Sequence, residues 1–203
     1  MVKIFLKLPL FVVFLTTSSI LKADPYSLAN ISQYLQNLKI LKADFSQTNP
    51  DGTISSGTIL IKRPGRMRFE YNKPDKTLVL VSAGALAIFD PKGDEEPITY
   101  PIKNNPISLI LKGEVDLLNS GIVAKYKVSA EKAVLTIRDP KKPQRGSVEL
   151  VFVGTKPELE KFTIKNENGS STSISLKDIE YPKKLNETLF SIALETSKRR
   201  RKD

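Results

Sequence analysis

The chain reads as mainly β with some α, one curved antiparallel sheet of about ten strands wrapping an apolar interior with helices across its open side. Three observations carry that reading. Between residues 43 and 179, apolar side chains recur at every second position in short runs divided by turn residues, the period of half-buried strands in a meander. Leu28, Ile31, Leu35 and Leu38 instead recur at spacings of three and four, the stripe of an amphipathic helix. One short apolar stretch, 105–118, breaks the alternation midway. A sheet apolar on one face needs a second layer, and the two helical segments can supply it. A β-sandwich competes, but leaves the first helix little to pack against.

Residues 1–23 have the layout of a secretory signal peptide. Lys3 and Lys7 precede an apolar run over 8–15, then come polar residues and a cleavage point after Ala23. The run is too short to span a bilayer. The mature chain, 24–203, is long enough for one domain with a sizeable core. At its start, Asp24-Pro25 pairs an N-cap residue with proline at the first helical position, which predicts a helix over 25–39.

Strands follow. The run 43–48 ends at the turn Asn49-Pro50-Asp51-Gly52. The stretch 57–71 is a hairpin about Pro64-Gly65. Ile59, Ile61 and Arg63 share one face of its first strand, and Met67, Phe69 and Tyr71 one face of its second. TLVLVS, 77–82, is apolar on both faces, suiting a central strand covered on each side. Shorter runs occupy 86–89 and 98–102. Asn105-Pro106 then starts a short helix with Ile107, Ile110 and Leu111 on one side and Gly113 as its stop, and 115–118 is expected to add another turn or two. Strands resume over 122–129, 133–137, 147–153, 159–165 and 171–179, and 189–194 is expected to add an edge strand. The final Lys198-Arg199-Arg200-Arg201-Lys202 reads as a solvated basic tail, with a membrane-surface or partner contact as the alternative.

Composition narrows function by exclusion. The chain has no His, Cys or Trp, so the common zinc sites, thiol nucleophiles and Ser–His relays are ruled out. The acidic residues Asp90, Asp94, Glu95 and Glu96 cluster in a turn without a base partner. No catalytic residue, metal or cofactor is therefore expected. Lys and Arg outnumber Asp and Glu by 32 to 22, a basic balance that suits anionic surfaces or acidic partners. Export argues against nucleic acid. Arg63, at the rim of an apolar strand face, is on pattern alone most simply a side chain snorkelling to solvent.

Several residues together resemble the LolA family of periplasmic carriers of outer-membrane lipoproteins. They are Phe45-Ser46-Gln47; Gly57, Ile59, Ile61, Lys62, Arg63 and Pro64; Arg68-Phe69-Glu70-Tyr71 with Pro74; Leu80-Val81-Ser82; Ile88-Phe89-Asp90-Pro91; and Asn105-Pro106 with Leu109-Ile110-Leu111. The resemblance implies an incomplete, half-open antiparallel β-barrel of ten to eleven strands covered by an N-terminal helix and short mid-chain helices, enclosing a cavity for acyl chains. It implies a monomer in the periplasm, loaded by an inner-membrane ABC transporter of the LolCDE type and delivering to an outer-membrane acceptor or the membrane surface. Under it, Arg63 bonds to the covering helices as a lid latch, and Met67, Phe69, Leu80, Leu86, Ile88, Ile107 and Ile110 line the cavity. Without it, those seven read as a filled core. The family often has Trp where this chain has Phe69 and Ala87, which implies a changed cavity volume. A lipid-sensing or regulatory envelope module on the same half-barrel is the alternative.

Overall fold

Turn chemistry sets where the chain reverses, and most reversals fall where the sequence places them. A computed structural model describes residues 25–93 and 96–201. The expected signal peptide, residues 1–23, lies outside that range, as do Asp24, Asp94, Glu95 and the last two residues.

Helix α1 is Leu28–Asn37, and the serine after the expected cap starts it: Ser27 Oγ accepts from the Asn30 amide at 3.2 Å. Ile31, Leu35 and Leu38 are buried, as their spacing requires. Tyr26, just before the helix, is pinned by a 2.6 Å bond from its hydroxyl to the Glu131 carbonyl.

Eleven strands follow: β1 Ile40–Thr48, β2 Ile54–Lys62, β3 Arg66–Tyr71, β4 Leu78–Ser82, β5 Ala85–Phe89, β6 Ile98–Pro101, β7 Val123–Val128, β8 Lys132–Ile137, β9 Gly146–Val153, β10 Glu158–Asn166 and β11 Ser171–Glu180. They form one antiparallel sheet in the order β6-β5-β4-β3-β2-β1-β11-β10-β9-β8-β7. β6 and β7 are its two edges, so the sheet is an open barrel. Residues 102–122 run from one edge strand to the other, so the mid-chain insertion is also the link across the opening.

That link begins as expected. Asn105 Oδ1 accepts from the Ile107 amide at 3.0 Å and caps a 3-10 turn over Pro106–Leu109. It does not continue as helix over 115–118. The Asp116 carboxylate takes the Leu118 and Asn119 amides at 2.9 and 3.0 Å, and such local bonds compete with the helical ladder. These bonds also hold the Asp116 carboxyl below its usual range.

The C-terminal segment departs further. Instead of an edge strand, 189–194 belongs to a 3-10 turn over Glu187–Phe190 and helix α2, Ile192–Arg199. Ser191 Oγ caps α2 by accepting from the Leu194 amide at 3.2 Å, and Arg199 pairs with Glu195 one turn back. This segment straps the convex face of the sheet. A separate apolar cluster there, Leu78, Leu80, Ala87 and Phe89, is packed by Ile192. Lys198 and Arg199 of the basic run accordingly belong to a helix end: the Arg199 guanidinium sits 4.9 Å from the Phe89 ring centre, and Arg200 pairs with Glu96.

The concave face holds the main core. Leu135, Leu150, Phe152, Phe162 and Ile59 are fully buried there beneath α1 and the 102–122 link. Gly57 is required on this face. A Cβ would lie 2.0 Å from the Glu70 carbonyl oxygen, and its missing side chain leaves room for the Phe45 and Tyr71 rings, 5.1 Å apart edge to face across it.

Candidate functional site

The β2–β3 hairpin is gripped on both faces. On the convex side, Lys62 and Arg66 both pair with Glu187, and Arg68 donates to the Leu189 carbonyl at 3.1 Å. These bonds, the Lys62 bond first, hold the Glu187 carboxyl below its ordinary range.

On the concave side, Arg63 is 5% exposed. Its Nε donates to the Lys112 carbonyl at 2.7 Å, one Nη to the Leu38 carbonyl at 3.1 Å and to that of Leu35, and the other Nη to the Gly113 carbonyl at 3.4 Å. The backbone repeats the pattern: the Arg63 amide donates to Lys39 at 2.8 Å and the Gly65 amide to Leu111 at 2.8 Å. One side chain therefore ties the sheet to two separate covering segments. α1 has no basic residue in its last turn, and Arg63 supplies from the sheet the positive charge that a helix C-terminus favours, while satisfying carbonyls the helix leaves unpaired. Burial pulls the guanidinium pKa below its ordinary value, yet arginine stays charged in a folded protein. The charge is held by dipoles alone, because among the described residues its partners are all backbone carbonyls.

The register sorts the other expected residues. Met67 pairs with Val81 and Phe69 with Val79 on β4; Val79 and Val81 pair with Ile88 and Leu86 on β5; those pair with Ile98 and Tyr100 on β6. Met67, Phe69, Leu86 and Ile88 therefore share the concave face, and Ile107 and Ile110 press on that same core from the link. Leu80 does not. It pairs with Arg68 and Ala87 and belongs to the convex cluster under α2. A strand apolar on both faces cannot reveal its parity, and the turn before it set the other one. Ala87 lies on the convex face too, so its small size shapes the seat of α2 and not the interior.

Coverage of the concave face is uneven. Met67, Ile107 and Ile110 are buried, whereas Tyr71, Val79, Leu86 and Ile88 are half-buried and Ile98 and Tyr100 are 59% and 54% exposed. An apolar strip thus runs from beneath the link out to the β6 edge. Sequence reading missed Val79, Ile98 and Tyr100, which follow from Phe69 only once the register is known. Burial pushes the Tyr71 hydroxyl up to about 12, against the pull of its 2.8 Å bond to Gln47.

The family model described as outer membrane lipoprotein carrier protein LolA matches residues 36–193. A protein of Coxiella burnetii (strain CbuK_Q154) named outer-membrane lipoprotein carrier protein is 26% identical over 183 residues, 85% of each chain. One of the same name from Dechloromonas aromatica (strain RCB) is 31% identical over 160 residues, 74% of this chain and 75% of that one. Among solved structures, a LolA superfamily protein of Nitrosomonas europaea aligns with a TM-score of 0.42 at 11% identity, over 80% of this chain and 96% of that one. The Pseudomonas aeruginosa MucA/MucB complex aligns at 0.45 and 14%, over 80% and 59%.

Proposed function

The chain belongs to the LolA family of outer membrane lipoprotein carrier proteins, a family of carriers and not enzymes, and on that premise we propose that it is a periplasmic chaperone that shuttles lipoproteins from the inner to the outer membrane. Acyl chains of the cargo lie on the concave face. The observation that supports this reading is Arg63, a buried charge whose partners sit on two separate covering segments.

A chain of ~16 carbons gains roughly 12 kcal/mol on leaving water, at about 0.8 per methylene. A bilayer offers the same gain, so a carrier must bind strongly and still let go. The half-exposed strip on β3–β6 receives the chain first. Deeper entry displaces the link and uncovers Met67, Ile107 and Ile110. It also strips carbonyls from Arg63, and leaving a buried charge unpaired costs about 3–5 kcal/mol. Loading is thereby opposed by re-latching, and the balance tips toward release when an acceptor offers equal burial. The partners implied are a LolCDE-type transporter as source and an outer-membrane acceptor or the membrane itself as sink, with the carrier acting as a monomer.

The test is release of a lipoprotein from spheroplasts by the purified mature protein. Wild type should carry the lipoprotein into the supernatant. Arg63→Leu should still load, but pass cargo on poorly because closing no longer drives release. Absence of release by wild type would falsify the carrier reading, and normal delivery by Arg63→Leu would remove the latch from it.

A further inference from the structure

Behind the latch lies a second concavity that the carrier reading does not use. It sits between the C-terminal end of α1, the β9–β10 turn and residues 181–183, with a volume of about 790 Å³. Its apolar surface comes from Leu38, Ile40, Val153, Pro157 and Pro182. Three lysines also line it, Lys39, Lys156 and Lys183, all exposed, against one carboxylate, Glu158. Glu158 is already engaged by the Tyr181 hydroxyl at 3.0 Å, which in turn meets the Tyr34 hydroxyl at 3.1 Å. Among the described residues none of the three lysines pairs with a carboxylate. The groove therefore presents unneutralised positive charge beside apolar surface.

We infer that this groove binds a single-chain anionic amphiphile, its acyl chain along Leu38, Ile40 and Val153 and its carboxylate or phosphate head among Lys39, Lys156 and Lys183. The volume is that of a small-ligand site. Lysine serves a carboxylate or phosphate as a movable point charge, which suits an open rim. The position gives binding a consequence, because Leu38 and Lys39 are also the residues whose carbonyls accept from the Arg63 guanidinium and amide. A ligand packed on their side chains acts on the α1 end of the latch.

The experiment is titration of the purified mature protein with dansyl-undecanoate, followed by displacement with laurate, dodecyl phosphate and dodecanol, and by NMR mapping of the perturbed residues. Laurate and dodecyl phosphate separate a carboxylate head from a phosphate head; displacement by either supports the inference. Dodecanol should be at least tenfold weaker. Shortening the acid by one methylene should weaken it about fourfold, the equivalent of 0.8 kcal/mol. Lys156→Glu with Lys183→Glu should weaken laurate at least tenfold, whereas the matched reversals Lys141→Glu with Lys142→Glu, in the exposed loop before β9 and outside the groove, should leave it within twofold. Shifts should centre on Lys39, Lys156 and Lys183. Equal displacement by dodecanol, indifference to the lysine reversals, or shifts centred on Ile98 and Tyr100 would each overturn the inference. The last outcome would place the probe on the concave face and leave the carrier reading standing. Failure of lipoprotein release alone would remove the carrier reading and leave the groove.

Discussion

The concave face has two regions built from the same alternation and differing only in what lies on top of them. From β8 through β11 to β2, side chains such as Leu135, Phe152, Phe162 and Ile59 are sealed beneath α1 and the 102–122 link. From β3 to β6 the same kind of side chain continues, through Val79, Ile88 and Ile98, into solvent. One region is core and the other is available surface. Neither α1 nor the link is a strand of the sheet, and Arg63 ties both of them down. The line between buried core and exposed apolar strip is thus set by the cover that Arg63 ties down.

If the cover alone separates the two regions, substitutions in them should differ in size and in kind. The largest difference is expected for paired truncations. Leu135→Ala in the sealed region should cost about 2–5 kcal/mol, against under about 1 kcal/mol for Ile88→Ala, by urea denaturation. Equal losses would mean the strip is core after all. Next is Arg63→Leu, which removes charge-assisted bonds valued at about 1.5–3 kcal/mol each. Amide exchange in α1 and over 106–113 should accelerate by roughly tenfold or more while strands β8–β10 stay protected. Uniform acceleration would show that the cover and the sheet are one cooperative unit.

A smaller change of opposite sign tests how well α1 is seated. Ser32 is buried in α1, and among the described residues its hydroxyl has no hydrogen-bond partner. Ser32→Ala should stabilise the protein by about 1 kcal/mol and slow acyl loading, read by thermal denaturation and by the rate of cargo uptake. Unchanged stability would mean that the hydroxyl is satisfied. The smallest effect concerns the convex strap. Glu187 titrates below its ordinary value, so its ion pairs stabilise the fold above the usual carboxylate range and are lost as pH falls through the lowered value. NMR signals of the strap should shift as pH falls through that lowered value while those of α1 stay in place, and Glu187→Gln should abolish that step.

Much of this was legible. The hairpin about Pro64-Gly65, the placing of Arg63 with Ile59 and Ile61, and the cap at Asn105 follow from turn residues and period, because those signals act within a few positions. The parity of β4 is not legible, since TLVLVS is apolar on both faces, and period alone cannot tell that Leu80 lies on the convex one. Helix α2 was missed for a similar reason. Eight residues cannot hold a helix alone, and this one forms against Leu78, Leu80, Ala87 and Phe89, a surface assembled from elsewhere in the chain.

Most of the strands and turns, the amphipathic first helix and the presence of an arginine on an apolar face can be read from the residues one stretch at a time. Those are local matters of side-chain period and backbone preference. What that arginine holds depends on the assembled fold. The carbonyls of Leu35, Leu38, Lys112 and Gly113 lie 25 to 50 residues away from it, and a backbone carbonyl is the same in every residue. No pattern of side chains can announce which of them will converge on one guanidinium.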